Sequence, residues 1–415
     1  MSRPAARALA ILTFINLFNY LDRYVVAALV ESLKKPDALA LTDTQAGLLS
    51  TGFLVVYMAA SPVFGALGDR GARPRLIAAG VFLWSLATAL GGLAVGFVSL
   101  FAARALVGVG EAAYGTISPG IIADLYPRER RGRVMATFFM AIPVGSALGY
   151  VLGGLVDKAA GWRAAFLVAG APGMVLALLC ARLADPPRGQ HDEPEVAPRP
   201  GGLVATYGRL LRNRPYVMTV LGYAAYTFAI GGMAFWMPAF LERVRGVPKQ
   251  EATTVFGGIL VGTGFAGTFL GGWLGDRLLR RTPQAYLWLS GVATLLAVPL
   301  AWLVFTSPEP AVYYGAVVGA ELLLFMSTGP INSAILNEVA PTERATAVAL
   351  GIFLMHILGD VPSPALIGAV SDASGLDRAV LMVPVAIAVG GAIWCLEAIL
   401  AGRADRARPA DAAAG

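Results

Sequence analysis

The stretch Gly65–Arg70 reads G-A-L-G-D-R, and Gly272–Arg277 reads G-W-L-G-D-R. Each copy stands at the end of an apolar run and begins a short polar segment. A second pair follows in the same order: Pro127–Arg130 is P-R-E-R, and Pro341–Arg344 is P-T-E-R. Motifs that recur in one order predict that the second half of the chain repeats the first as a parallel duplication.

The composition is that of a protein that crosses a membrane many times. Of 415 residues, 57% are hydrophobic and 14% are charged, whereas a soluble domain carries about 25% charged residues. A transmembrane helix needs roughly 20 apolar residues. Twelve runs fit, with soft edges: 8–30, 44–67, 75–94, 98–122, 133–156, 163–183, 215–240, 252–274, 284–304, 311–336, 345–370 and 379–401. They predict an all-α membrane protein of twelve transmembrane helices in two pseudo-symmetric six-helix bundles, with a site between the bundles near the midplane.

A polar, proline-rich segment divides the twelve runs into six and six. We predict an N-terminal bundle over residues 1–184, a cytoplasmic linker over 185–214, and a C-terminal bundle with a short cytoplasmic tail over 215–415. With the N-terminus inside, 22 of the 32 Lys and Arg fall in inner segments and 8 in outer loops. The positive-inside rule then places both termini in the cytoplasm. We expect a multi-pass protein of the bacterial inner membrane, whose basic balance reflects topology and not nucleic-acid binding.

Cofactors and metals are not expected. The two Cys and two His lie at unrelated places, which does not favour a metal site. No G-x-x-x-x-G-K-[ST] stretch occurs, so a built-in ATP motor is not expected either.

Over its full length the chain resembles a major facilitator superfamily transporter. Gly65–Leu76 is similar to that family's signature loop between spans two and three. Three further stretches resemble the spinster branch: N-Y-L-D-R-Y-V-V-A (19–27), R-A-L-V-G-V-G-E-A-A-Y (104–114) and A-F-W-M-P-A-F-L (234–241). Spinster-like proteins are proton-linked carriers of lysolipids and sphingoid phosphates. The resemblance therefore implies an amphiphilic small-molecule substrate, protons as the coupling ion, and a monomer in contact with membrane lipids.

Charged residues deep in the spans are the candidates for proton coupling. Such groups cost several kcal/mol in a membrane, so they face the protein interior and find partners. At 1.5 Å per residue, Asp22 lies in height between Arg104 and Glu111, which share one face of span four with Gly108 between them. We expect Asp22 to pair with Arg104, leaving Glu111 less compensated. Because burial disfavours a charged carboxylate, Asp22, Glu111 and Arg104 are predicted to couple transport to protons. The alternative is a static cluster that packs span one on span four.

Substrate contacts are expected from other buried polar and aromatic side chains. Arginine forks suit phosphate, and Arg23 is preferred for the headgroup, although it is equally suited to be a counter-ion of Asp22. The aromatic residues of span seven would form the apolar wall for an acyl chain, or else belong to the core or face lipid. His356 and Asp360 are four residues apart on one face and suit a proton relay or a headgroup contact. The candidates are Asn19, Arg23, Tyr114, Tyr223, Tyr226, Phe235, Trp236, Glu321, His356 and Asp360.

Charges at the inner ends of the spans are the candidates for gating. In the family such residues latch the two bundles on the cytoplasmic side, and a salt bridge present in one state biases the equilibrium between states. The alternative is simple positive-inside anchoring, which accounts for most of the arginines but not for Asp69. The candidates are Asp69, Arg73, Arg130, Arg133 and Asp276.

The leading function is proton-coupled secondary active transport of amphipathic lipids, of lysophospholipid or sphingoid-phosphate type, by alternating access. A carrier of soluble organic anions or drugs is the alternative within transport. An integral membrane lipid-modifying enzyme is disfavoured, because the buried ionisable residues form no set of nucleophile, base and metal. A channel would not need buried titratable pairs that change partner.

Overall fold

The structure is a computed structural model, which describes residues 3–127, 134, 137–188, 202–339 and 344–407. Every regular element within these ranges is helical. The helices are α1 (Arg3–Lys34), α2 (Asp43–Arg70), α3 (Arg73–Gly91), α4 (Phe97–Leu125), α5 (Ala141–Ala181), α6 (Gly202–Arg212), α7 (Arg214–Arg243), α8 (Lys249–Leu279), α9 (Ala285–Thr306), α10 (Pro310–Phe325), α11 (Thr328–Asn337), α12 (Arg344–Met355), a π-helix (His356–Asp360), α13 (Ser363–Ser374), α14 (Leu376–Ala379) and α15 (Met382–Ala407).

Eleven helical segments in the described ranges are long and apolar enough to cross a membrane. Three of them join elements given separately above: Pro310–Ile335 joins α10 and α11, Thr346–Ser374 joins α12, the π-helix and α13, and Leu376–Arg403 joins α14 and α15. Another of the eleven, α5, contains two of the predicted spans. Its 41 residues measure about 60 Å at 1.5 Å per residue, about twice the hydrocarbon thickness of a bilayer. The chain turns within it at Gly161, whose φ of 82° lies in the left-handed region that favours glycine. Spans five and six are therefore both present, joined without a loop, and the predicted all-helical membrane fold is confirmed.

The duplication inferred from the motifs is visible in the backbone. Gly161 and Gly375 stand at equivalent positions of the two halves, and both have positive φ, 82° and 94° respectively. A Cβ on Gly145 would lie 2.3 Å from the carbonyl oxygen of Leu17, and one on Gly359 would lie 2.6 Å from that of Ala224. Span five thus packs against span one as span eleven packs against span seven.

A second pair of equivalent glycines contacts the opposite half of the sequence. A Cβ on Gly154 in α5 would meet the hydroxyl oxygen of Thr253 in α8 at 2.2 Å. A Cβ on Gly368 in α13 would meet the carbonyl oxygen of Asp43 in α2 at 2.3 Å. A Cβ at Gly368 would require the backbone of α2 to move, and a Cβ at Gly154 would require the Thr253 side chain to move.

The helices group into two compact units. The first comprises Met1–Glu195, Ala234–Val261 and Pro364–Leu376, and the second comprises Val196–Met233, Gly262–Ser363 and Asp377–Gly415. The core of the first unit is formed where α1, α3, α4 and α5 meet. It includes Leu12, Ile15, Trp84, Ile122 and Cys180, each at most 2% exposed.

Two local features were not predicted. The polar linker contains the short helix α6, which at 11 residues is too short to span a bilayer. Span eleven is interrupted by the π-helix His356–Asp360, in which the amide of Val361 donates to the carbonyl of His356 at 3.0 Å. π-Helices are rare and frequently occur at functional sites.

Candidate functional site

Four charged side chains meet inside the first unit, and we call them the buried quartet: Asp22, Arg23, Arg104 and Glu111. Arg104 Nη1 lies 3.3 Å from Asp22 Oδ2, the pairing expected from the sequence. Arg23 Nε donates to Glu111 Oε2 at 2.7 Å. The expectation that Glu111 is less compensated is therefore wrong. Adjacent residues of a helix point about 100° apart, so Asp22 and Arg23 each reach a different residue of α4.

The quartet is enclosed by a close approach of α2 to α4 at Gly108. A Cβ there would lie 2.5 Å from the Phe53 carbonyl oxygen, so the absence of a side chain at Gly108 allows α2 to come this close. The approach places the ring of Phe53 against both arginines, with its centroid 5.1 Å from Cζ of Arg23 and 5.1 Å from Cζ of Arg104. Such cation–π contacts stabilise guanidinium groups that have lost water.

The hydrogen bonding of the quartet is incomplete. Asp22 Oδ1, Glu111 Oε1, Arg104 Nε and the neighbouring Asn19 Nδ2 are buried and form no hydrogen bond with the described residues. Each carboxylate therefore uses one oxygen for an arginine and keeps the other without a donor. A buried polar atom left in this way costs about 1–3 kcal/mol, and a proton on the free oxygen would remove the charge that makes burial unfavourable.

Arg23 is the accessible member of the quartet. Its side chain is 21% exposed, whereas that of Glu111 is fully buried and those of Asp22 and Arg104 are 2% and 3% exposed. Arg23 is therefore the member of the quartet with the most accessible surface.

The other candidates of the first unit lie in its core. Tyr114 is 2% exposed, and its hydroxyl donates to the carbonyl of Leu12 at 2.7 Å. Trp236 is 1% exposed, and its indole N–H donates to the carbonyl of Pro364 at 3.0 Å. Phe235 is also buried and packs on Trp236. The polar side-chain atoms of Tyr114 and Trp236 therefore form hydrogen bonds within the first unit.

The tyrosines of span seven lie in the core of the second unit. The hydroxyl of Tyr226 donates to the carbonyl of Leu324 at 2.9 Å. The hydroxyl of Tyr223 accepts from Asn332 Nδ2 at 3.3 Å, and both rings pack against Trp394. An apolar cavity of about 700 Å³ does border α7, but its lining from that helix is Leu221, Ala224, Ala225 and Phe228.

The second unit also contains the remaining acidic candidates. Glu321 is 1% exposed and accepts a hydrogen bond from the Thr263 hydroxyl at 3.0 Å. No cation among the described residues pairs with it. His356 Nδ1 lies 2.8 Å from Asp360 Oδ1, and both side chains are partly exposed at 29% and 21%. The predicted contact between His356 and Asp360 is therefore present, and it lies on the π-helix.

Of the gating candidates, Arg73 has the fullest set of partners. It binds Asp124 at the end of α4, Asp185 after α5 at 2.8 Å, and the carbonyl of Pro186 at 2.6 Å. All of these partners belong to the first unit. Asp276 accepts a hydrogen bond from the Tyr286 hydroxyl at 3.0 Å. Arg130, Arg133 and the side chain of Asp69 lie outside the described residues.

A cluster at the opposite end of the first unit was missed by the sequence analysis. We call it the Arg243 cluster: Glu31, Lys34, Asp43, Arg243 and Ser371. Arg243 donates to Glu31 at 3.0 Å and to Asp43 at 2.8 Å. Asp43 also accepts from Lys34 and from the Ser371 hydroxyl. The cluster joins the ends of α1, α2, α7 and α13.

Two neighbouring contacts reinforce this end of the unit. Asp372 accepts from the amides of Asp43 and Thr44, each at 2.8 Å, and so caps the first turn of α2. Lys249 pairs with Asp157 at 2.6 Å. The position of these residues could have indicated the cluster from the sequence. Arg243 and Lys249 are basic residues in predicted outer loops, where the charge bias predicts few basic residues.

Comparisons with known proteins agree with this architecture. The family model of the Major Facilitator Superfamily matches residues 12–364. Protein spinster homolog 3 of Danio rerio is 38% identical over 384 residues, covering 88% of this chain and 76% of the relative. The sphingosine-1-phosphate transporter SPNS2 of Danio rerio is 34% identical over 430 residues, covering 94% of this chain and 84% of the relative. A crystal structure of a bacterial homolog to the human lysosomal transporter spinster superposes with a TM-score of 0.86 at 24% identity, covering 96% of this chain and 98% of that one.

Proposed function

Because the chain belongs to the major facilitator superfamily, within its spinster branch, we propose that it is a proton-coupled transporter of amphipathic lipids that works by alternating access. The chain is a transporter and not an enzyme. The proton as coupling ion, and a lysophospholipid or sphingoid phosphate as substrate, are the specific parts of the proposal.

The buried quartet carries the proton part. Glu111 and Asp22 each hold one arginine and keep one carboxylate oxygen without a donor. Removing a carboxylate from water favours its neutral form, whereas an arginine at 2.7 Å favours its charged form. A proton taken up by Glu111 would release Arg23, and a substrate phosphate could then take the place of the carboxylate.

The lipid part rests on Arg23 and on the relatives. Arg23 is the quartet member that is exposed, and its guanidinium suits a phosphate monoester or diester. The relatives include a sphingosine-1-phosphate transporter. Together these observations favour an amphiphile with a phosphate headgroup.

The topology follows the charge bias: both termini and the 185–214 linker are cytoplasmic, in a bacterial inner membrane. The halves 1–184 and 215–415 are then the parts that rearrange, in a monomer. The Arg243 cluster lies at the outer face, where it closes the path from outside. Since an ion pair that exists in one state favours that state, the cluster has to open before substrate can leave or enter there.

The test is proton flux into proteoliposomes that contain a pH dye. A lysophospholipid, a sphingoid phosphate and a soluble sugar phosphate are added in turn to protein with and without Glu111→Gln. Glu397→Gln is the matched control, because Glu397 is equally buried and lies 3.7 Å from an arginine, Arg214, but is in the second unit outside the candidate site. We expect flux with the lipids, loss of that flux in Glu111→Gln, and no loss in Glu397→Gln.

Other outcomes separate the two parts of the proposal. Flux with the sugar phosphate alone would retain proton coupling and exclude the lipid substrate. Equal flux with wild type and Glu111→Gln would exclude the quartet as the coupling site. Lipid equilibration without any proton movement would exclude proton coupling.

A further inference from the structure

Helix α7 runs through a proline, Pro238, which lies inside the helix and not at its first turn. A proline has no N–H, so the carbonyl four residues earlier, that of Ala234, lacks the hydrogen bond that it would receive in a regular α-helix. Within a membrane-spanning helix, a carbonyl freed in this way finds its donor on a neighbouring element. Ala234 is therefore a residue of α7 that needs a partner from outside the helix.

The partner is a tyrosine of α5. The Tyr150 hydroxyl donates to the Ala234 carbonyl. Tyr150 is 0% exposed, so the bond is shielded from water. Its ring packs edge-on against that of Phe256 in α8, with ring centroids 5.2 Å apart. Tyr150, Ala234, Phe256 and Pro238 all belong to the first unit. The tyrosine hydroxyl thus replaces the hydrogen bond that the proline removes.

A second buried tyrosine, Tyr216, makes the same kind of contact without a proline. It is also 0% exposed, and its hydroxyl donates to the carbonyl of Ala347 at 2.7 Å. The residue four positions after Ala347 is Gly351, which lies in the same helix and has an N–H for that carbonyl. A carbonyl oxygen has two lone pairs, so Ala347 would keep a donor if the tyrosine hydroxyl were removed. Tyr216 is therefore matched to Tyr150 in burial and chemistry and differs in the absence of the proline.

Tyr150 is also held against α1, the helix that carries Arg23 of the buried quartet. The ring centroid of Tyr24 lies 5.1 Å from that of Tyr150. A Cβ on the preceding residue, Gly149, would lie 2.5 Å from the carbonyl oxygen of Leu21, so the backbones of α1 and α5 are in close contact. Because packed helices transmit displacements to one another, a movement of α1 changes the position of the Tyr150 hydroxyl.

We propose that Tyr150 is a positioning residue for transport: its hydroxyl holds α7 at Pro238, and α7 bends at this proline when the bond to Ala234 breaks. The inference rests on the proposed alternating access and identifies a helix that changes shape in the cycle. Sharp bends of helices occur mostly at prolines. One hydrogen bond favours the bonded position by about fivefold, a preference small enough to be reversed in each cycle.

The test is amide hydrogen exchange of the purified full-length protein in detergent, followed by mass spectrometry. Tyr150→Phe removes the hydroxyl and keeps the ring, and Pro238→Ala restores the missing N–H. The two substitutions are made separately and together, and Tyr216→Phe is the matched control. Peptides covering 233–243 report on α7 around the proline, and peptides from α9 report on opening elsewhere.

We expect Tyr150→Phe to raise the exchange rate of 233–243 about fivefold, the effect of losing one hydrogen bond, and to leave α9 unchanged because the opening is local. In the Pro238→Ala background the same substitution should leave the exchange of 233–243 unchanged, since the restored N–H binds the Ala234 carbonyl. Tyr216→Phe should leave the exchange of 233–243 unchanged in either background.

Three results would overturn the role of the bond. They are an equal effect of Tyr150→Phe with and without Pro238→Ala, an increase of exchange in α9 as large as that in 233–243, and an effect of Tyr216→Phe on 233–243 equal to that of Tyr150→Phe. The first would mean that the hydroxyl does not replace the bond lost at the proline. The second would mean that the substitution destabilises the whole protein.

Counterflow of a labelled lysophospholipid in proteoliposomes tests whether α7 bends during transport. Pro238→Ala stiffens α7, so the maximal rate should fall severalfold while the half-saturating concentration stays the same. A maximal rate that is unchanged or higher would overturn the bending of α7. The exchange experiment needs neither substrate nor gradient. A wild type that does not transport lipid would therefore contradict the proposed function, whereas equal exchange in the two backgrounds would contradict the role of Tyr150.

Discussion

Replacement of Arg243 by methionine should open the end of the first unit that the Arg243 cluster closes. Arg243 binds two carboxylates, Glu31 and Asp43, whose side chains are 17% and 3% exposed. Methionine keeps the length of the side chain and removes the charge. Asp43 would retain Lys34 and Ser371, but α7 would lose its ionic connection to α1 and α2.

The size of the effect follows from these contacts. A hydrogen bond to a charged group contributes about 1.5–3 kcal/mol, and Arg243 makes such bonds to two carboxylates. Its own side chain is 25% exposed, so water compensates part of the loss, and we expect about 2–3 kcal/mol in total. That corresponds to a shift of roughly 30- to 150-fold between closed and open states. An open state populated at about 1% would rise to between roughly a quarter and 60% of the molecules.

The assay is double electron–electron resonance between spin labels at Pro36→Cys and Glu251→Cys, both exposed and both in the first unit. The native Cys180 and Cys395 are replaced by serine. Wild type should give one narrow distance distribution, and Arg243→Met should add a second, longer component.

The control is Arg245→Met, which removes the same charge two residues away. Its guanidinium lies over the Phe240 ring, with Cζ 5.0 Å from the ring centroid. The reasoning would be refuted by a single unchanged distribution in Arg243→Met. It would also be refuted by an equal shift in Arg245→Met, which would mean that loss of charge alone opens the unit.

Two further predictions concern packing and charge pairing. Gly149→Ala should lower the free energy of unfolding by about 1–3 kcal/mol, because the Cβ of the alanine would lie 2.5 Å from the carbonyl oxygen of Leu21. Gly262→Ala, which has open space around it, should be neutral or stabilising by up to about 1 kcal/mol. Thermal unfolding in detergent compares the two variants, and equal losses of stability would contradict the packing argument. Asp22→Asn should cost about 3–5 kcal/mol by leaving a buried arginine unpaired, and the double variant with Arg104→Met should recover most of that loss; a double variant less stable than Asp22→Asn would show that the pair is not the cause.

The transmembrane pattern was predictable because length and hydrophobicity along a single chain determine it. Spans five and six were separable in the sequence as the apolar runs 133–156 and 163–183, with Asp157 and Lys158 between them, although the structure joins them in α5. The duplication was also readable, and the positive φ of both Gly161 and Gly375 confirms it at the backbone. In each case the information is local or periodic.

The pairing inside the quartet was only half predictable. The heights of the residues along their helices, at 1.5 Å per residue, were sufficient to predict that Asp22 pairs with Arg104. The contact of Arg23 with Glu111 depends on how α1 is rotated about its axis, which packing against α4 and α5 decides. The π-helix at His356 was not predicted from the sequence; it contains Gly359, where a Cβ would lie 2.6 Å from the Ala224 carbonyl oxygen of α7.

The Arg243 cluster could not be predicted from the sequence for a different reason. Glu31, Asp43, Arg243 and Ser371 come from four helices and from both halves of the sequence. No spacing rule relates residues so far apart in the chain. The charge bias could have singled out Arg243 as a basic residue in a predicted outer loop, but it could not have identified its partners.

The composition of the first unit has a consequence for biosynthesis. The unit includes Pro364–Leu376, which the ribosome makes long after Glu195. At typical synthesis rates of about 5–20 residues per second, the gap is on the order of ten seconds or more. During that interval the surface of α2 that receives Gly368, and the carboxylate of Asp43 that receives Ser371, lie in the nascent protein without those contacts. Membrane quality control therefore encounters a nascent chain in which helices α1 and α2, although synthesised first, gain their last contacts only near the end of synthesis.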